Sequence, residues 1–330
     1  LPIVTYNERY AFLVGHPDPP AGWARTPDLA QLGGPWAPVE SLAMPEEMGP
    51  VPVYRAELPG GDVTPQSFTV KVGDRWAASL TTWAWMNVTL YDQFRADLPP
   101  IIEPVFPYRL AARLLLQGGD GYVVFVAHEA FHAYQGSVAP DRLLQGERVG
   151  RSQESRYPWD DAAFEDAWQA ELDLLVDGMR AETEAEARDI ARRFIAQRSQ
   201  RRAAAGLPAA LIDYERQREW VEGLAKYSEL RLWEEAYAAV RADPPAYAPV
   251  AATRQIQGFR DYARYPGRYR SEVAQIGRTA GQHGDGRFYY SGMAQAYLLD
   301  RLAPGWKETI FEDGVVLEAL LAEAVGIDAP

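Results

Sequence analysis

Apolar and polar residues change their period near residue 83. Val51 to Leu58, Ser67 to Val72 and Arg75 to Thr82 show strand-like alternation, the pattern of half-buried strands. Gly73-Asp74 separates the last two and predicts a tight hairpin. Residues 1 to about 50 are crowded with Pro and Gly, as in Gly15-His16-Pro17-Asp18-Pro19-Pro20 and Gly33-Gly34-Pro35. That excludes long helices and predicts irregular backbone with short strands. From Trp83 the pattern is helical. Helices are predicted at Pro107 to Leu116 and, after a break at Gly118-Gly119-Asp120-Gly121, from about Tyr122 to Gln135. Two polar, Ala- and Glu-rich helices follow at about 158–180 and 182–204. A long helix starts at Leu207-Pro208 and runs to about Val240, where Asp243-Pro244-Pro245 stops it. Further helices are predicted at about 267–280, 286–302 and 314–325. The fold class is α+β, with a β-rich region over residues 1–82 and a mainly helical region over 83–330.

Composition narrows the chemistry. The chain has 330 residues, no Cys and four His, at positions 16, 128, 132 and 283. Without thiols there are no disulfides, no thiol nucleophile, no iron–sulfur cluster and no thiolate zinc site. The formal net charge of −13 repels phosphate backbones and argues against nucleic acid as a partner. The longest apolar run, Tyr122 to Ala127, falls far short of the roughly 18 residues that span a bilayer. The chain opens on Leu1 rather than Met, which fits removal of an N-terminal signal or anchor and favours a secreted, periplasmic or membrane-anchored location over the cytoplasm. Nearly all basic residues are Arg, with Lys only at Lys71, Lys226 and Lys307; coding bias accounts for this.

Half of the His fall into one motif, His128-Glu129-Ala130-Phe131-His132. On a helix, residues four apart project from one face, so both imidazoles reach one ion and Glu129 stands beside them to act on a water. Glu129 to His132 is also an ExxH pair, as in di-iron bundles, but neither His16 nor His283 has a Glu three positions before it to supply the second pair. Zinc held by two His needs a third protein ligand. Cys is lacking and no third His follows at short range, which leaves a carboxylate. Glu215, Glu219, Glu222 and Glu229 share roughly one stripe of the long helix.

In Trp220-Val221-Glu222-Gly223-Leu224-Ala225-Lys226-Tyr227 the sequence resembles the gluzincin zinc peptidases, above all their aminopeptidase branch, where a Glu-Gly-hydrophobic-Ala-x-Tyr stretch follows HExxH. The resemblance implies a zincin-like catalytic domain within 83–330, one zinc ion on His128, His132 and Glu222, and Glu129 as the base of a zinc-dependent peptide hydrolase acting on peptides or proteins. A mid-helix Gly costs about 1 kcal/mol relative to Ala, and the rationale for Gly223 is that, lacking a side chain, it lets its helix approach the His helix closely. Phe288-Tyr289-Tyr290-Ser291-Gly292 resembles the Tyr-x-x-Gly stretch of the same branch, whose Tyr stabilises the oxyanion. Tyr289 is the matching residue, with Tyr290 and His283 as alternatives. Glu222 stands much farther after His132 than in the aminopeptidases, so residues of about 155–206 read as a helical insertion. The branch's Gly-x-Met-Glu-Asn strand, which anchors a free amino terminus, is missing, and this favours an endopeptidase. Lys226 stands where thermolysin-like members carry Asp, so a carboxylate supporting a His must come from elsewhere. The alternative is a catalytically silent zinc-containing binding or scaffolding protein with an aromatic-rich surface, including Trp23, Trp36, Trp76, Trp83 and Trp85. Between the two stands a peptidase whose cleft is covered by residues 1 to about 50.

Overall fold

The structure, a computed structural model, describes residues 1–42, 50–60, 64–96, 118–242 and 259–328. The helix expected at Pro107 to Leu116 and the stop at Asp243-Pro244-Pro245 lie outside the described residues. The chain is mixed α and β, with strands first and helices after Trp83. It forms two compact units, one of Leu1–Tyr134 with Glu235–Ala263, the other of Gln135–Glu234 with Arg264–Pro330.

The first unit holds one eight-stranded sheet. Its strands are β1 (Ile3–Tyr6), β2 (Tyr10–Val14), β3 (Trp23–Arg25), β4 (Ala30–Leu32), β5 (Ala37–Leu42), β6 (Val51–Glu57), β7 (Phe68–Val72) and β8 (Arg75–Thr81), in spatial order β4-β3-β7-β8-β1-β2-β6-β5. β1 runs parallel to β8 and the other pairs are antiparallel. Alternation sends Val4 and Tyr6 of β1, and Ala11 and Leu13 of β2, into one core with Trp23, Trp36, Val70 and Val72. Gly73 opens the β7–β8 hairpin at φ 62°, the first turn position at which a type II′ turn takes Gly. The Pro- and Gly-rich start therefore supplies five strands, and β1 lies inside the sheet, so these residues are part of the core and cannot be a detachable cover. Trp23, Trp36 and Trp76 are buried.

Helix α1 (Trp83–Ala96) follows the sheet, then α2 (Gly119–Val138). The glycines expected to break the chain form the first turn of α2 instead. First-turn N–H groups have no helical acceptor in any case, and Asp120 adds a favourable charge there while accepting the Arg260 N–H at 2.9 Å. α2 is unbroken across the boundary between the units, which falls after Tyr134.

The second unit is helical: α3 (Pro140–Gln153), α4 (Ala162–Arg180), α5 (Glu184–Ala204), α6 (Ala209–Arg218), a π turn (Glu219–Gly223), α7 (Leu224–Ala242, of which residues to Glu234 belong here), α8 (Tyr265–Ile276), α9 (Gly286–Leu302) and α10 (Leu317–Val325). Asp161 caps α4 through the Phe164 N–H at 3.0 Å, and Thr183 caps α5 through the Glu186 N–H at 3.2 Å. α3 is absent from the sequence reading because Gly146 and Gly150 dilute its helical pattern. Both are there for packing: a Cβ on Gly146 would stand 2.9 Å from Val221 Cγ2, and one on Gly150 3.1 Å from Arg218 Nη1.

The polar helix α5 turns its Arg face inward. Arg198 meets Glu171, Glu219 and Glu318; Arg201 meets Glu171 and Glu215; Arg202 meets Glu215 and Glu318; Arg216 completes the set on Glu318. The planar guanidinium serves two or three carboxylates at once, which an ammonium does poorly. Breaking such a buried set from one side leaves uncompensated charge and typically costs about 3–5 kcal/mol.

Burial alone would raise the Glu318 carboxyl, but Arg198 and Arg202 outweigh it and hold it at about 2, against 4.5 for a free Glu. Its contribution to stability is therefore complete above pH 4.5 and is lost as the pH falls toward 2. In urea unfolding, Glu318→Gln is expected to be the less stable protein at pH 6, with a gap to wild type that narrows between pH 4.5 and 2. A gap independent of pH would show that the ion pairs do not carry it.

Candidate metal centre

α2 places His128 and His132 one turn apart, with Glu129 next to His128, and all three are at most 5% exposed. His128 Nε2 and His132 Nε2 stand 3.2 Å apart, with the rings nearly perpendicular at 78°. The Phe68 ring of β7 lies 4.1 Å from the His132 ring, centroid to centroid, and Phe125 stacks on His128 from one turn before at 6.4 Å. Apolar walls of this kind keep water from the imidazoles and fix their rotamers.

Glu222 sits in the π turn. A π turn leaves carbonyls outside the regular ladder, and here Gln135 answers them: its Nε2 donates to the Trp220 oxygen at 2.8 Å and to the Val221 oxygen at 3.3 Å. Gln135 is fully buried in the last turns of α2, less than one turn beyond His132. His128, His132 and Glu222 each offer one ligand atom, and these atoms all lie within 4.8 Å of one another.

The other carboxylates of the stripe are committed to cations. Glu215 lies between Arg201 and Arg202 and accepts the Tyr157 hydroxyl at 2.5 Å. Glu219 pairs with Arg198 and accepts the Ser291 hydroxyl at 2.5 Å. Glu229 pairs with Lys226 at 2.5 Å. Lys226 also reaches Glu272 at 3.3 Å, so the cation standing four residues after Glu222 is neutralised away from it.

Glu222 is held by Arg218, one turn before it, and by Tyr289, so it is a buried, partnered carboxylate and not a solvated charge. Arg218 Nη2 donates to Glu222 Oε1 at 2.8 Å and to Asp285 Oδ2 at 2.8 Å, Arg218 Nη1 donates to Glu147 Oε1 at 2.8 Å, and Arg218 Nε donates to Asp285 Oδ1 at 2.9 Å. Burial works against the Arg218 charge, but Glu222, Asp285 and Glu147 raise its pKa well above the usual value. The signal available in the sequence was the spacing of Arg218 and Glu222, four apart on a helix. Tyr289 donates a hydrogen bond to Glu222; burial first, then the Glu222 charge, push the phenol well above its usual pKa, so it stays protonated. Tyr290 faces a different group: burial and Glu272 raise it, and Lys226 lies over its ring at 5.5 Å. His283 is 61% exposed, pairs with Asp160 at 3.2 Å and stacks on Trp159, and it is not one of the three grouped residues. His16 is buried in the loop after β2, its Nδ1 accepting the Asp18 N–H at 3.3 Å. On the sheet side, Tyr6 hydrogen-bonds Ser67 at 2.8 Å; burial raises its phenol pKa and the Glu129 charge adds to that.

The Gly residues of the two motifs meet each other. A Cβ on Gly223 would stand 2.6 Å from Gly292 Cα and 3.1 Å from the Phe288 oxygen, and one on Gly292 would stand 2.7 Å from the Glu219 oxygen. Gly223 thus serves close contact with α9. No side chain separates the π turn from α9, and this brings Tyr289 to Glu222.

Overpacking such a contact typically costs about 1–3 kcal/mol. Gly223→Ala and Gly292→Ala are each expected to lower the urea midpoint accordingly, whereas Gly305→Ala, with nothing within 4 Å of its Cβ, serves as the unaffected control. Equal midpoints for all three would show that the contact is not tight. No protein family, no curated protein and no solved structure matches the chain.

Proposed function

We propose that the chain is a zinc-dependent peptide hydrolase with a gluzincin-like centre, acting within peptides rather than at a free amino terminus. The observation that supports it most is the gathering of two imidazole nitrogens and one carboxylate oxygen within 4.8 Å, with Glu129 next to the first of them. The donor set suits zinc. Two nitrogens held about 2.05 Å from one ion at the tetrahedral angle stand about 3.3 Å apart, and the two Nε2 atoms are 3.2 Å apart. Two His and one Glu also leave a coordination position for a reactant, as catalytic zinc sites require.

When bound, the ion supplies Lewis acidity, polarising a carbonyl and making water easier to deprotonate near neutral pH. His128 and His132 would hold the ion through a ring nitrogen each, and Glu222 through a carboxylate oxygen. Glu129 accepts a proton from the attacking water and delivers it to the leaving amine. Phe68 and Phe125 keep the imidazoles in an apolar setting. Tyr289 enters as a donor to Glu222. In the alternative of a silent binding protein, the recognition surface would be aromatic; Trp23, Trp36 and Trp76 are spent in the core.

Purified protein is expected to hold one zinc per chain by elemental analysis, and His128→Ala with His132→Ala to lose it. Glu129→Gln is expected to keep the metal while cleavage of a quenched peptide library falls by about 10²- to 10⁴-fold. Absence of stoichiometric zinc, or cleavage that survives in Glu129→Gln, would overturn the reading. Zinc bound with no peptide cleaved in wild type would favour the silent binding protein.

A further inference from the structure

Resting on the metal reading above, we infer that Arg218 and Tyr289 are positioning residues for the Glu222 carboxylate, so that metal affinity depends on a cluster reaching from α3 to α9 through one guanidinium. Three observations meet here. Arg218 is 7% exposed and uses Nε, Nη1 and Nη2 on three carboxylates, Glu222, Glu147 and Asp285, at 2.8–2.9 Å. Glu147 comes from α3, where the absent side chain of Gly150 makes room for the Arg218 guanidinium, 3.1 Å from where a Cβ would stand. Tyr289 comes from α9, seated against the π turn by the Gly223–Gly292 contact, and its hydroxyl donates to Glu222.

The arrangement does two things to a metal-binding carboxylate. It fixes the carboxylate plane before an ion arrives, so little rotamer freedom is lost on binding. It also ties the carboxylate, through the same guanidinium, to Glu147 and Asp285 on neighbouring elements, so the position of its oxygens is set by three anchors and not by one. Partners that orient metal ligands in this way typically account for about 10- to 100-fold in affinity. Tyr289 acts through Glu222 in this assignment, unlike an oxyanion donor, which would leave metal affinity untouched.

The two roles separate on binding measurements alone. Zinc affinity is measured by competition with a chromophoric chelator, and the site is also loaded with Co2+ for its visible absorption, in wild type, Tyr289→Phe, Arg218→Lys, Arg218→Met and Asp285→Asn. Tyr289→Phe is expected to bind zinc about tenfold more weakly and to shift the Co2+ bands. Arg218→Met is expected to lose more than Arg218→Lys, which restores the charge but not the fork. Asp285→Asn removes one anchor of Arg218 from a side chain that is 34% exposed; it keeps the test decisive if an Arg218 variant fails to fold, and it is expected to weaken zinc binding too. Affinities within twofold of wild type and unchanged Co2+ bands in folded Tyr289→Phe and Asp285→Asn would overturn the inference while leaving the metal centre standing. A wild-type protein that binds no zinc would instead overturn the metal reading itself.

Discussion

The candidate centre depends on two backbones touching. Gly223 and Gly292 leave the π turn and α9 without a side chain between them, and α9 is buried along most of its length. Because the contact is main chain against main chain, its geometry cannot be adjusted by a change of rotamer, and interiors packed to that density pass displacement on rather than absorbing it. The position of Glu222 relative to Tyr289 is therefore set by the helix backbones. Gln135 fixes the same turn from another direction by taking up the Trp220 and Val221 carbonyls.

Charge is distributed on a similar logic. The chain as a whole is acidic at −13, yet its helical unit buries Arg198, Arg201, Arg202 and Arg218. An Arg-rich composition reads as coding bias when the chain is treated as a list. In the fold, most of these side chains each bridge carboxylates from different helices, and Lys could not replace them without leaving an acceptor short. The network at Glu171, Glu215, Glu219 and Glu318 ties α4, α5, α6 and α10 together. It also occupies the acids that would otherwise compete with Glu222 for a cation.

What the sequence made legible follows from which signals are local. The three strands from Val51 to Thr81 and the Gly73-Asp74 hairpin were readable because alternation and turn chemistry lie within a few residues. HExxH was readable because spacing on a helix brings its side chains together without help from the rest of the chain. The five strands before Val51 are short and separated by Pro and Gly, so no single one carries a pattern, and their pairing with β6, β7 and β8 is not local. Helix α3 was hidden because its glycines lower propensity in order to admit Val221 and Arg218. The inward Arg face of α5 escaped because a hydrophobic period counts Arg as solvent-facing whatever it meets.

The choice among Glu215, Glu219, Glu222 and Glu229 shows the limit most clearly. At about 100° per residue, Glu219 and Glu222 would lie only about 60° apart on a regular helix, which is why they shared one stripe. A π turn, bonded from i to i+5, has about 4.4 residues per turn and opens that angle beyond about 100°. Glu219 then meets Arg198 and Ser291, while Glu222 meets Arg218 and belongs to the group with His128 and His132. One irregular turn thus divides a stripe of equivalent acids into members of the Arg network and the one grouped with the two His. The irregularity is not encoded by the stripe itself. It follows from Gly223 and Gly292 allowing α9 to close on the turn and from Gln135 satisfying the carbonyls that the turn releases, partners 69 and 85 positions or more away in the chain.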